Sequence, residues 1–212
     1  MTVRRGLLRR LALLPAGLAL AACTPFALTR REPATLHRLT ALTTVPDSLP
    51  ALDRRLLIEP PTAASGLNTA RIPLRPEPTL LDYFANAQFV EVVPIMVQSL
   101  VRESLDVTRS LDVLGPDATG LRPDYVLRLH IQDFQAEYDR GTMQPPLINI
   151  RMQLRLLGMP RRDSLATGRG QQTVRADGNG LDAVIRAFDQ AMALVLRRIV
   201  TWTIDEIARR EG

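Results

Sequence analysis

The sequence of 212 residues has no lysine, one cysteine, two histidines and one tryptophan, and only 4% of it is aromatic. A single cysteine excludes an intramolecular disulfide framework and any cysteine-based zinc site. His37 and His130 are too far apart for the HxxH or HExxH spacings that hold a metal, so each reads as an ordinary surface or partly buried residue. No GKS, GKT or GxGxxG frame follows a strand, which leaves Gly168-Arg169-Gly170 as a turn or strand irregularity rather than a phosphate loop. The uncharged run Leu11 to Ala22 has twelve residues. That is about 18 Å of helix against a hydrocarbon core of roughly 30 Å, and Pro15 and Gly17 weaken it further, so it does not read as a permanent span. At 46% hydrophobic and 23% charged, the composition excludes disordered, collagen-like and coiled-coil chains.

Arginine is what the chain has in excess. All 27 basic residues are Arg, against 22 acids, which gives a formal charge of +5 and a pI of about 10.5. Such a balance points to nucleic acid only if the charge lies on the folded domain. Arg4, Arg5, Arg9 and Arg10 instead fall in the first ten positions with no acid among them, ahead of the apolar run, in the layout of a secretory signal peptide.

The end of that run, Leu20-Ala21-Ala22-Cys23, resembles the bacterial lipobox. The resemblance implies cleavage between Ala22 and Cys23, a diacylated Cys23 thiol and an acylated new amino terminus. The thiol is the nucleophile that thioether formation requires, and the small residues before it fit the peptidase. Several acyl chains, at about 0.8 kcal/mol per buried methylene, hold a protein on a membrane essentially permanently. Removing residues 1–22 takes away four arginines and no acid, leaving 23 Arg against 22 acids and a formal charge of +1. The nucleic-acid reading dissolves with the signal. In Gram-negative sorting, an Asp after the lipidated Cys commonly retains a lipoprotein at the inner membrane. Thr24 stands there, which points to the outer membrane facing the periplasm, with the periplasmic face of the inner membrane as the alternative.

The expected organisation is a removed signal over 1–22, a lipidated tether over 23–33 and one periplasmic domain over 34–212. A first strand is expected at Thr35 to Leu42 and a second at Arg55 to Glu59, stopped by Pro60-Pro61. Residues 60–68 read as turns, and Ala70 to Leu74 as a short edge strand, since two nearby prolines argue against a central place. Val93, Val97, Leu100 and either Ser104 or Leu105 recur at helical spacing, so Glu91 to Val107 is expected to be an amphipathic helix with Pro94 in its first turn. Leu127, Leu129 and Ile131 alternate with polar residues; Phe134, Ala136 and Tyr138 take the other parity, which predicts a bulge near Gln132 to Asp133. Ile148 to Leu156 gives a clean period-two strand, and Ser164 to Ala176 a less apolar one nearer an edge. After Asp177-Gly178-Asn179-Gly180, the positions Val184, Phe188, Ala191, Val195, Ile199 and Trp202 form the stripe of a long helix to Arg210. The sum is a single α+β domain, an antiparallel sheet with a three-strand meander covered by an amphipathic helix and a long C-terminal helix.

With lipobox, first helix, meander and last helix in place, the mature chain resembles the ABC-type transport auxiliary lipoproteins, the PqiC-like family that accompanies MCE-domain lipid transporters. The residues that carry the resemblance are Arg71-Ile72-Pro73-Leu74 with Leu80-Leu81-Asp82-Tyr83-Phe84, Asp124-Tyr125-Val126-Leu127 with Ile131-Gln132-Asp133-Phe134, and Ala187-Phe188-Asp189-Gln190-Ala191. Where family members often carry Trp after the Tyr pair, Phe89 stands here. The resemblance implies a non-enzymatic accessory of a system that moves phospholipids or related lipids between the two membranes. It would dock an MCE assembly from its acyl anchor, with a homo-oligomeric ring as a possible state. A structural or assembly lipoprotein supporting an outer-membrane β-barrel would share signal, size and layout.

The residues themselves point to no catalytic set, metal or cofactor. Asp133, Glu137 and Asp139 cluster about the expected bulge, yet nothing pairs them with a nucleophile, and solvated strand-end charges are the plainer reading. Met143, Pro145, Pro146 and Leu147 form a loop suited either to packing or to contact with a partner or lipid. Arg161-Arg162 in the following turn suits solvent, headgroups or an acidic partner.

Overall fold

The computed structural model describes residues 33–45, 49–115 and 120–212. The signal peptide, Cys23 and nearly all of the tether lie outside the described residues, as do Pro46 and Asp47. The described part is α+β, as expected, with strands β1 (Thr35–His37), β2 (Arg55–Ile58), β3 (Thr62–Ala63), β4 (Arg71–Glu77) and β5 (Leu80–Phe89), then helix α1 (Val93–Asp106). Strands β6 (Asp112–Leu114), β7 (Tyr125–Glu137), β8 (Leu147–Gly158) and β9 (Asp163–Arg175) follow, and helix α2 (Leu181–Glu211) ends the chain.

The antiparallel meander forms as its alternation predicts. β7 pairs with β8 along its whole length and β8 with β9, while β9 pairs with nothing else and is an edge. The register of β7 on β8 slips between Ile131 and Asp133, so the change of parity is indeed a bulge. The remainder of the sheet differs from expectation, because it is mixed. On the other edge of β7, three short strands dock in parallel one after another: β2 at Tyr125 to Leu127, β3 at His130 and Ile131, β4 at Ala136 and Glu137. β6 joins β2 in parallel, β5 joins β4 antiparallel, and β1 joins β5 in parallel.

Two expected strands are corrected. β4 lies between β5 and β7 rather than at an edge. Its prolines are tolerated because the pairing to β7 is confined to Leu74 and Arg75, the two residues between Pro73 and Pro76, and the pairing to β5 slips on both sides. β1 stops at His37 instead of reaching Leu42. Beyond it the backbone finds side chains on helices in place of a strand: the Asp189 carboxylate accepts from the Thr40 N–H at 2.7 Å, and Ser104 Oγ accepts from the Leu42 N–H at 3.1 Å. Leu39 and Leu42 are thereby turned into the core. Within 60–68, which reads as turns, the chain makes β3 and a 3-10 turn at Ser65–Leu67.

One core lies under the inner face of the meander. Leu127, Leu129 and Ile131 align across the strands with Leu156, Leu154 and Met152, and Val184, Phe188, Ala191, Val195 and Ile199 of α2 close over the sheet, all buried. Phe89, Phe134 and Phe188 meet at its centre, with centroids 5.5–5.8 Å apart and both edge-on and stacked contacts. Both Ser104 and Leu105 of α1 are buried; the serine is satisfied by donating to the Leu100 carbonyl at 2.6 Å. Gly168-Arg169-Gly170 is strand, and the glycines have a packing reason. A Cβ on Gly168 would sit 2.6 Å from Trp202 Cε2, and one on Gly170 would sit 3.3 Å from Val195 Cγ1, so α2 rests where β9 has no side chains.

Candidate functional site

The motif residues turn out to be fasteners. Arg71 places its guanidinium carbon 3.8 Å from the centroid of the Tyr83 ring, and the Tyr83 hydroxyl donates to the Gly66 carbonyl at 2.9 Å, tying β4, β5 and the 3-10 turn together. The Asp124 carboxylate accepts from the Arg55 N–H at 2.8 Å, fixing the entry of β7 against β2. The Tyr125 hydroxyl donates to Glu211 at 2.5 Å, and Arg54 pairs with the same carboxylate. Burial and then this bond push the Tyr125 phenol up to about 12, and the Arg54 and Tyr125 bonds hold Glu211 below the usual carboxylate range. Asp189 grips Thr40, as described, and Phe89 and Phe134 are core. Together they hold the N-terminal strands to the meander and the last helix.

The acids about the bulge do not converge on one point. Asp133 pairs with Arg151 at 2.5 Å, Glu137 with Arg75 at 3.3 Å, and Asp139 with Arg175 at 2.6 Å, which lowers the Asp139 carboxyl. Among the described residues no group of His, Cys, Asp and Glu is arranged to hold a metal. Of the apolar loop, only Met143 is strongly exposed, at 86%, while Pro146 is buried and Pro145 and Leu147 are half-buried. His37 is half-buried beside β5.

A different place gathers chemistry, on the outer face of the meander. The same alternation that sends leucines inward sends Arg128 and His130 of β7, Gln153 and Arg155 of β8, and Thr167 and Arg169 of β9 outward. Register aligns them in two rows, Arg128-Arg155-Thr167 and His130-Gln153-Arg169. Glu59, Pro60 and Thr62, leading into β3, wall the rows on one side, and the resulting groove has a volume of about 880 Å³. The Glu59 carboxylate takes Arg128 and Arg162 together, each at 2.5 Å. Burial alone would raise the Glu59 carboxyl, but the two guanidinium bonds outweigh it and bring it below its ordinary value. Arg162 reaches Glu59 from a turn position held at φ 61°, a region seldom adopted by residues other than glycine. Thr62 Oγ1 fixes His130 through Nδ1 at 2.9 Å.

The sequence placed His130 on the polar parity of its strand and Arg161-Arg162 in the next turn, and both placements hold. Arg161 and Arg162 are both exposed, and Arg162 pairs with Glu59 at the side of the groove. Arg155 and Glu59 are not singled out by sequence, and Arg169 is met there only within Gly168-Arg169-Gly170, read as a turn or strand irregularity. The signal for them was the polar half of each alternating strand, which does not reveal who faces whom.

The family model described as "ABC-type transport auxiliary lipoprotein component" matches residues 35–200, from the first strand into the last helix. Among solved structures, that of protein XCC0632 from Xanthomonas campestris superimposes with a TM-score of 0.78 at 23% identity, over 84% of this chain and 99% of that one. The crystal structure of an uncharacterized protein gives 0.63 at 13% identity, over 81% and 99% of the two chains. Both likenesses are of fold. No curated protein matches the sequence.

Proposed function

The chain belongs to the ABC-type transport auxiliary lipoprotein family, whose members are accessory, membrane-anchored and periplasm-facing, and from that premise we propose a specific role. This protein is a non-catalytic subunit of an ABC/MCE-type system that carries phospholipids or related lipids across the periplasm, and it acts by docking. The observation that carries the reading is the family match, which runs through nearly the whole folded domain. Anchorage through Cys23 supplies the geometry. A tether of about ten residues reaches at most roughly 35 Å, which keeps the domain within a short distance of the membrane that holds its acyl chains. Thr24 in the sorting position supports the outer membrane.

The test is capture of the detergent-solubilised, acylated protein from envelopes. Co-purification of an MCE-domain subunit is the expected result. Recovery of an outer-membrane barrel protein with no MCE subunit would overturn the reading in favour of a structural or assembly lipoprotein.

A further inference from the structure

We propose that the groove on the outer face of the meander is an anion site for a phosphate group, either free or carried on a lipid headgroup. The argument begins with charge. Arg128 and Arg155 are directly opposite each other on β7 and β8, and Arg169 lies diagonal to Arg155 on β9. Directly opposed side chains on a sheet have Cβ atoms about 4.5–5.5 Å apart, and like charges there are destabilising. A sheet face shaped only for solubility would set acids against these arginines. The carboxylate in the groove, Glu59, is already shared between Arg128 and Arg162, and among the described residues neither Arg155 nor Arg169 has an ion-pair partner.

The arrangement selects a ligand class. Each guanidinium offers a planar fork of donors, and a carboxylate meets such forks with only two oxygens in one plane, as Glu59 does in giving one oxygen each to Arg128 and Arg162. A phosphate offers three or more oxygens around a tetrahedral centre, so it can take forks from more than one arginine; Arg155 and Arg169 line the groove without an ion-pair partner among the described residues, beside Arg128 held by Glu59. His130, held at Nδ1 by Thr62, keeps Nε2 as its available ring nitrogen, and Gln153 and Thr167 add neutral polar groups beside the cations. The volume of about 880 Å³ exceeds what a bare phosphate fills and falls within the usual range for small-molecule sites. Pro60 gives the wall an apolar surface, which suits the glycerol portion of a headgroup. The lipid form of the ligand rests on the transport reading above, whereas the anion site itself does not.

The experiment uses the full-length protein in a neutral maltoside detergent, titrated by calorimetry and phosphorus NMR with inorganic phosphate and with dihexanoyl phosphatidylglycerol. Dihexanoylglycerol serves as the phosphate-free control. Saturable binding of at least one phosphate-bearing probe is expected, weakened about tenfold or more in Arg155→Gln/Arg169→Gln and unchanged in Arg198→Gln on α2. Equal binding of the two probes identifies a free-anion site, and clear preference for the lipid identifies a headgroup site. Both results support the proposal. Because Arg155 and Arg169 are exposed, the double variant is expected to fold, with a melting temperature no lower than wild type once the repulsion is removed; a cooperative melt verifies this. Two results overturn the proposal: neither probe binds, or the folded double variant binds like wild type. Failure to capture an MCE subunit would overturn the transport reading and leave this result standing.

Discussion

Gly168→Ala tests the packing of the last helix on the edge strand with a single methyl group. The added Cβ would lie 2.6 Å from Trp202 Cε2, 2.9 Å from Nε1 and 3.0 Å from Cζ2. Those atoms belong to a rigid ring on a helix of 31 residues whose neighbouring turn is locked into the core by Ile199 and Ile204. Overpacking of this kind costs about 1–3 kcal/mol. Against it, replacing a glycine in a strand returns about 0.5–1 kcal/mol of backbone entropy. At the middle of the two ranges the net is a destabilisation of about 1 kcal/mol, or roughly 2–4 °C in melting temperature for a domain of this size. Trp202 is the only tryptophan in the chain, so its fluorescence reports the event directly. The variant is expected to melt earlier and to emit further to the red, as the ring swings toward water. Trp202→Phe in the same background makes room for the methyl and is expected to recover part of the loss. An unchanged or raised melting temperature with unchanged emission would refute the claim that the glycine is there for the ring.

Phe134→Ala removes one member of the aromatic triad, in which each ring contacts the other two, and it is expected to cost about 3–5 kcal/mol. A loss below about 1 kcal/mol in chemical denaturation would mean that the triad is not the centre of the core. Glu206 is largely buried; burial would raise its carboxyl, but bonds from Arg210 and Arg209 hold it below its ordinary value. A depressed carboxylate stabilises the fold above its unfolded value of 4.5 and loses that contribution as pH falls through the folded one. Melting curves of wild type and Glu206→Gln should therefore differ at neutral pH and converge in acid; parallel curves would contradict the assignment. For the anchor, metabolic labelling with a fatty acid should mark wild type and not Cys23→Ala, and equal labelling of both would refute lipidation at that residue.

Much of the fold was legible because burial on one face writes a period into the sequence. Ile148 to Leu156 alternates strictly, and the slip in parity between Ile131 and Phe134 located the bulge without any knowledge of the partner strand. α2 showed its stripe for the same reason. β5 did not, because only Ala87 and Phe89 in it are buried and Asn86 turns through φ 52°, which breaks any alternation. The place of β4 was misjudged because two prolines forbid a central strand only where their missing N–H groups fall on the ladder. Parallel docking along β7 leaves no local mark at all, since the partners are distant: Leu56 opposes Tyr125, and Leu74 opposes Ala136. The groove was hidden for a related reason. Its arginines are visible as polar positions, but Glu59 stands 69 residues before Arg128, and only the register brings Arg155 against it.

The three parallel segments along one edge of β7 also set an order of events. The ribosome makes the amino-terminal half first, so residues 55–75 exist for some time before residues 125–137, the strand they must line up on. Until then β3 has no partner strand, β2 has only β6 and β4 only β5, so the apolar Leu56, Ile58 and Ile72, all buried in the finished protein, lack the platform they pack on and remain available to wrong partners. The meander and α2, in contrast, are contiguous in sequence and can assemble from their own neighbours. Folding should therefore run against the direction of synthesis, with the carboxy-terminal half forming a platform onto which the earlier half is threaded strand by strand. A chain that must wait in this way depends on whatever keeps it apart from its neighbours during the delay.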